Sequence, residues 1–201
     1  MGQGILNLVK IFVTIVLVPV VYVTATKFHI HLLRYSQATQ DMFLTGVLAF
    51  LIIFLFFYSF ASFHEFGHRM MGGFFSFATP LDQFLAGCIP FFPTVLLPML
   101  FLIKTFFRSD AYTHYFVFLA GLSFAMHFVL VAQDIQGQEV GFFRPTYYFK
   151  VSLTVLFNVV VMILLFDLAL GKWTLVHFFH TNIPQIKAVY GKLFHVMMFG
   201  R

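Results

Sequence analysis

The stretch MFLTGVLAFLIIFLFFYSFASFHEFGH, residues 42–68, joins a long apolar run to the pentapeptide His64-Glu65-Phe66-Gly67-His68. A membrane helix needs about 20 apolar residues, so this run predicts a helix that crosses a bilayer and carries the pentapeptide near its exit. Histidines four positions apart share one face of a helix and can hold one metal ion, with the glutamate beside it as general base. Because ionisable groups in a membrane segment indicate function, the stretch predicts zinc ligands at His64 and His68 and a catalytic Glu65.

The composition predicts a bilayer as the solvent of the whole chain. Of its 201 residues, 61% are hydrophobic and 9% are charged, whereas about a quarter of the residues of an ordinary soluble domain are charged. The formal charge of +5 is scattered along the chain, which favours contact with anionic lipid over nucleic acid. One cysteine, Cys88, excludes an internal disulfide bond. We therefore expect a single integral membrane domain over residues 1–201.

Five apolar stretches and a tail give the predicted architecture, an all-α polytopic membrane protein with about five transmembrane helices. The first stretch is expected to be a retained helix rather than a cleaved signal peptide. Polar residues from Lys27 to Asp41 are expected to separate it from the second. The tail, residues 172–201, is amphipathic and predicts either an interfacial helix or a sixth packed helix. The predicted apolar stretches are 5–25, 42–71, 84–103, 113–134 and 148–170.

The third stretch contains Pro90, Pro93 and Pro98. Proline removes a helical hydrogen bond, so this segment is expected to be a broken or kinked helix. Freed carbonyl groups at membrane depth need partners other than lipid, which favours a segment that lines a cavity.

The distribution of Lys and Arg predicts the orientation. With five spans, more of these residues fall on the side of the C-terminus, including Lys27, Arg34, Lys104 and Lys172. The positive-inside rule then places the C-terminus in the cytosol and the protein, as a multi-pass chain, in the cell's inner (cytoplasmic) membrane.

Helix direction selects the candidates for a third metal ligand. Spans two and four of an alternating bundle run the same way, so the end of span four reaches the depth of the motif. That end carries His127 and Asp134, which lie two turns apart on one face. A catalytic zinc needs three protein ligands and an open position, and Asp134 is slightly preferred over His127. Asp167 lies toward the opposite side and is expected near that interface.

Several other histidines are expected to sit at the membrane surface. His29 and His31 flank a predicted helix end, where an amphipathic ring lies comfortably among headgroups. His177 and His180 neighbour Trp173 and are typical of an interfacial belt.

The motif in a membrane helix, followed two helices later by Asp134, resembles the site-2 protease family of intramembrane zinc metalloproteases. The resemblance covers residues 42–134, which would form a three-helix metalloprotease core. It implies that His64, His68 and Asp134 bind Zn²⁺ and that Glu65 is the general base. The Asp-Gly pair usual in that family is Asp134-Ile135 here.

The expected function is cleavage of transmembrane or membrane-proximal peptide bonds by zinc-activated water, with a membrane protein as substrate or partner helix. An alternative is a catalytically inactive metal-binding membrane protein that acts as a complex subunit or chaperone. A third is a structural subunit that packs through its Phe-rich faces. The sequence does not choose between active and inactive forms, and it leaves the oligomeric state open.

Overall fold

The computed structural model describes residues 2–56, 69–70, 73, 88–107, 111–136 and 145–200, and at positions 2, 3, 6, 134–136 and 145 it describes the backbone alone. Every regular element of this described part is a helix, so the predicted all-α class is confirmed. The helices are α1 (Gly2–Leu32), α2 (Gln37–Phe56), α3 (Phe91–Phe107), α4 (Thr113–Gln136), α5 (Pro145–Leu170) and α6 (Leu175–Phe199).

Four of these helices are long and apolar enough to cross a membrane, over Asn7–Leu32, Gln37–Phe56, Thr113–Gln133 and Thr146–Leu170. Large apolar side chains are exposed along them, as expected of a surface that faces lipid; examples are Phe12, Ile15, Leu48 and Leu55. The chain is therefore a multi-pass membrane protein. The predicted third span corresponds to α3, whose 17 residues make it the shorter apolar helix.

The predicted polar break between the first two spans is much shorter than expected. α1 continues to Leu32, and α2 begins at Gln37. The Thr26 hydroxyl donates to the Tyr22 carbonyl, so this polar side chain is satisfied within the helix and does not end it. Ser36 caps α2, because its hydroxyl accepts from the backbone N–H of Thr39 at 3.3 Å. The polar residues from Lys27 to Asp41 therefore form the end of α1, a short turn and the capped start of α2, and not a long loop.

α3 is continuous through Pro98, which differs from the predicted broken helix. Pro93 falls in the first turn of α3, where its missing N–H has no intrahelical partner to lose. Pro90 precedes the helix, and its carbonyl accepts from the Thr94 hydroxyl at 2.7 Å. Pro90 and Pro93 are buried, whereas Pro98 is exposed. The expectation that this segment lines a cavity stays a prediction.

Contacts between helix ends fix the direction of each helix. At one end, which we call the Lys10 end, the Lys10 ammonium donates to the Thr146 hydroxyl at 2.9 Å. At the other, the Asp167 end, the rings of Tyr35 and Phe166 stack with centroids 5.0 Å apart. α1 and α5 therefore run parallel. α5 is central and packs on α1, α3 and α4.

The C-terminal helix α6 returns along α1 in the opposite direction. Near the Asp167 end, the rings of Phe178 and His31 meet edge to face at 5.6 Å. Farther along, the Tyr190 hydroxyl donates to the carbonyl of Val16, which is in the middle of α1. Between the two expectations for the tail, this arrangement favours a sixth packed helix, although α6 is not among the four helices that meet the length and apolarity of a span.

α2 and α4 touch through their backbones at two glycines. A Cβ atom on Gly46 would lie 2.0 Å from the Phe118 carbonyl oxygen, and one on Gly121 would lie 2.0 Å from that of Phe43. Further along both chains, Phe50 packs with Ala125, Met126 and Leu130. Because the contacts advance along both helices together, α2 and α4 run parallel, as predicted.

Asp167 is buried near the end of α5 and joins α5 to α6. Its expected depth near an interface stays a prediction. One carboxylate oxygen accepts from the backbone N–H of Thr174 at 2.7 Å and of Leu175 at 2.9 Å, and the other accepts from the Thr174 hydroxyl at 2.6 Å. The carboxylate thus satisfies donors at the first turn of α6, where the helix dipole also favours negative charge. The left-handed Gly171, with φ of 64°, provides the tight turn before it.

His31 and Tyr35 complete this buried polar cluster. The Tyr35 hydroxyl lies 2.8 Å from His31 Nε2, and the Thr174 hydroxyl lies 3.2 Å from it. Burial raises the pKa of Tyr35 to about 12, so its hydroxyl stays protonated at neutral pH. His31 was expected among lipid headgroups and is instead a buried link between α1 and α6.

We expect Gly46→Ala to destabilise the protein, because the new methyl group meets a backbone carbonyl that cannot move alone. Overpacking of this kind costs about 1–3 kcal/mol. The measurement is the thermal midpoint of the detergent-purified protein. Gly191→Ala in α6 is the matched control, because nothing lies within 4 Å of its Cβ position. Equal midpoints for the two variants would contradict the close approach of α2 and α4.

Asp167→Ala should also lower the thermal midpoint, since it leaves two buried N–H groups and a hydroxyl without their acceptor. Each buried group left unsatisfied costs about 1–3 kcal/mol. Asp41→Ala is the control, because Asp41 is exposed and accepts from Gln37 near the start of α2. A midpoint for Asp167→Ala as high as that of the control would exclude the capping role.

Candidate metal centre

The structure describes the predicted metal ligands to different extents. His64, Glu65 and His68 lie outside the described residues. Position 134 belongs to α4, but the Asp134 side chain is not described. His127 is the one predicted ligand whose side chain the structure describes. The ligand set His64, His68 and Asp134 or His127 therefore stays a prediction.

His127 is buried in the interior of the bundle, with 6% of its surface exposed. Its Nε2 atom lies 3.4 Å from the Cys88 carbonyl oxygen, which precedes α3. A buried imidazole in a membrane helix needs polar partners, because lipid offers none. The ring thus points toward the start of α3, where polar backbone is close.

The face of α4 that carries His127 is turned away from α2. The residues of α4 that pack on α2 include Gly121, Ala125 and Met126. On the other side of α4, Phe116 and Ala120 belong to the apolar core shared with α5. His127 continues this second stripe by helical register, and position 134 follows two turns later. A metal centre that uses His127 therefore lies between α4 and the start of α3, and not in the contact between α2 and α4.

The positions of α2 and α4 refine the prediction that the end of α4 reaches the depth of the motif. The parallel course of α2 and α4 brings the end of α2 at Phe56 and the second half of α4 to the same end of the bundle, the Lys10 end. The face between the two helices, however, is filled by glycines and apolar side chains. The buried polar side chains of α4, Ser123 and His127, lie on the opposite face by helical register.

Asn158 of α5 is a buried polar residue that the sequence analysis did not select as a site residue. It is fully buried. Its Nδ2 donates to the Thr154 carbonyl at 2.8 Å, while its Oδ1 has no hydrogen-bond partner among the described residues. A buried carbonyl oxygen without a donor is costly, and in a membrane helix it indicates a functional position. The sequence signal was available, since Thr154 and Asn158 place polar groups four residues apart inside an apolar helix.

Cys88 lies on the same side of the bundle as His127 and Lys150. Its buried thiol is 3.8 Å from the Lys150 carbonyl oxygen. Within the part of the chain that the structure describes, no three His, Cys, Asp or Glu side chains lie close enough to hold a metal ion. The described side chains thus do not complete a metal site at this end.

Two histidines near the start of α6 are exposed. His177 and His180 are exposed, and nearby Trp173 is 85% exposed. These side chains form no cluster with the polar residues around His127, which lie at the other end of the bundle. They fit the expected interfacial belt.

Comparison with known proteins adds no relative from which a site could be transferred. No protein-family model, no curated protein and no solved structure matches this chain significantly.

Proposed function

We propose that this protein is an intramembrane zinc metalloprotease-like enzyme that cleaves transmembrane or membrane-proximal peptide bonds. His64 and His68 would bind the zinc ion together with Asp134 or His127, and Glu65 would be the general base. The motif carries this proposal, since its three ionisable groups follow an apolar helix of a multi-pass membrane protein.

Two features of the described residues support the proposal. α2 runs toward the Lys10 end parallel to α4, so the chain that leads to the motif leaves α2 at the end where α4 carries His127 and position 134. His127 also has the properties of a ligand or of a group that orients one, because it is a buried imidazole beside a backbone carbonyl. The donor set of imidazoles and a carboxylate fits zinc.

The chemistry divides between the metal and Glu65. A bound zinc ion supplies Lewis acidity, which polarises a peptide carbonyl and lowers the pKa of water. Glu65 takes a proton from the attacking water and delivers it to the leaving nitrogen. A substrate helix must unwind locally before its carbonyls become accessible, because helical carbonyls are already hydrogen-bonded.

We place the protein in the cell's inner membrane with the Asp167 end toward the cytosol. Lys27, Arg34, Lys104 and Lys172 lie toward the Asp167 end, whereas Lys10 and Lys150 lie toward the Lys10 end, and Lys187 and Lys192 lie along α6. The positive-inside rule favours this assignment. Because α6 runs back toward the Lys10 end, this assignment differs from the cytosolic C-terminus expected from five spans.

Glu65→Gln should lower proteolysis at least 100-fold and leave zinc bound, because general base catalysis contributes about 10²–10⁴-fold and the variant keeps both histidines. The assay uses the protein in lipid vesicles with a fluorescently labelled single-span peptide, and zinc is measured by elemental analysis. Glu139→Gln, which alters the other glutamate of the chain, is the matched control. Zinc retained by wild type and Glu65→Gln, with no cleavage by either, would favour the inactive metal-binding alternative.

The third ligand can be assigned by comparing Asp134→Ala with His127→Ala. We expect Asp134→Ala to lose most of its zinc, whereas loss of an orienting partner at His127 should weaken binding about 10–100-fold. Zinc affinity is measured by competition with a chromophoric chelator, with Asp41→Ala as control. The reverse order would make His127 the ligand, and wild-type affinity in both variants would remove α4 from the centre.

A further inference from the structure

A small cavity lies between α1 and α6 near the Asp167 end, remote from the candidate metal centre. Its volume is about 40 Å³, enough for roughly three water-sized groups. Lys27, His31 and Arg34 line it from α1, and Phe178, Thr181 and Asn182 line it from α6.

Asn182 is the unexplained polar group of this cavity. Only 1% of its surface is exposed. Both Nδ2 and Oδ1 lack a hydrogen-bond partner within the described part of the chain. A buried amide that makes none of its hydrogen bonds costs several times the typical gain of one bond. Since the amide lines the cavity, a bound group there can satisfy both atoms.

Two cationic side chains give the cavity its charge. Lys27 and Arg34 are seven positions apart, two helical turns, so they lie on the same side of α1 and its end. Lys27 is half-buried and Arg34 is exposed, whereas Asn182 is fully enclosed. The cations therefore stand nearer the cavity mouth, and the neutral amide lies at its floor.

The nearby carboxylate of Asp167 carries a negative charge that acts on His31, but its oxygens are engaged elsewhere. Both of its oxygens already accept hydrogen bonds from the first turn of α6. The Thr181 hydroxyl is likewise directed at the backbone, 3.0 Å from the carbonyls of both His177 and Phe178. The cavity thus offers an amide donor, an amide acceptor and two positive charges.

We propose that this cavity binds a phosphate group that also carries a hydroxyl. Asn182 Nδ2 donates to a phosphate oxygen, and Asn182 Oδ1 accepts from the hydroxyl. Lys27 and Arg34 neutralise the anion through charge-assisted hydrogen bonds. Basic pockets between membrane helices on the cytosolic side bind lipid phosphates, and the cavity lies at the more basic end of this bundle.

Two sources supply this chemistry, a glycerol-bearing phospholipid headgroup and a free phosphate monoester or inorganic phosphate. Phosphatidylglycerol carries the phosphate and the hydroxyl together. Phosphatidylcholine has the phosphate, but it lacks the hydroxyl and adds a cation that Lys27 and Arg34 repel. Because phosphatidylglycerol is also the anionic lipid of the pair, the cavity variants, compared with a control variant outside the cavity, distinguish recognition at this site from general adsorption to a basic protein.

The test is native mass spectrometry of the full chain released from micelles that contain phosphatidylglycerol or phosphatidylcholine. Wild type should retain phosphatidylglycerol at least ten-fold better than phosphatidylcholine. Lys27→Gln and Arg34→Gln should each weaken retention about five-fold, as expected for the loss of one basic contact to an anionic lipid. Asn182→Leu fills a similar volume without polar atoms and should remove the preference for phosphatidylglycerol. Lys192→Gln, which alters an exposed residue of α6 outside the cavity, should bind as wild type does.

A second arm identifies the source of the phosphate. Glycerol phosphate or inorganic phosphate is added to the protein with and without phosphatidylglycerol. Displacement of the lipid by soluble phosphate in wild type, but not in Asn182→Leu, supports the site with either source. Binding of soluble phosphate alone, abolished by Asn182→Leu, supports a free phosphate as ligand. Equal retention of both lipids by wild type, or unchanged preference in the Asn182 and Lys27 variants, would overturn the proposal.

Discussion

The backbone contact between α2 and α4 at Gly46 and Gly121 is the constraint on which the rest of the bundle depends. Two helices approach this closely only where neither has a side chain at the crossing point, and small residues serve that purpose in membranes because lipid provides no hydrophobic drive for helix association. The contact fixes α2 parallel to α4. It also reserves one face of α4 for α2, so the buried imidazole of His127 must face α3 and α5.

Buried polar groups lie in three separate regions of the bundle, and the regions differ in how far their hydrogen bonds are satisfied among the described residues. At the Asp167 end, a carboxylate, an imidazole and two hydroxyls satisfy one another and attach α6 to α1 and α5. In the middle of α5, Asn158 Oδ1 has no hydrogen-bond partner among the described residues. Between α1 and α6, Asn182 lines a cavity with two cations. Because unsatisfied polar groups in a bilayer are expensive, the first cluster is interpreted as structural, whereas Asn158 and Asn182 mark candidate ligand positions.

Much of the fold could be predicted from the sequence, because apolar length and helical direction are encoded locally. The all-α class and the parallel course of α2 and α4 follow from spans and their order. Helix ends were predicted less well. The polar residues from Lys27 onward predict a break, although a helix tolerates polar residues at its end. Pro90, Pro93 and Pro98 predict a broken or kinked helix, although Pro93 lies in the first turn of α3. The role of Asp167 could not be predicted, since it depends on α6 folding back to place its first turn against that carboxylate.

For the candidate site, the sequence selects the residue types but not the faces on which they lie. His127 and position 134 share a stripe by register, and that much follows from spacing. Which neighbour that stripe meets depends on the glycine contact on the opposite face, and the pairing of Gly46 with Gly121 is a property of tertiary packing. Asn158 has a sequence signal in its four-residue spacing from Thr154, whereas Asn182 has none, because the sequence does not show whether a neighbour satisfies a single amide.

We propose that one metal ion is held jointly by the motif histidines and by a side chain of α4. Zinc-edge X-ray absorption of the protein, purified without chelators, reports the number and the type of these ligands. We expect one zinc ion per chain, with imidazole nitrogens at about 2.0–2.1 Å and an oxygen ligand at about 2.0–2.2 Å. A zinc content well below one per chain, or a spectrum without imidazole scattering, would contradict it.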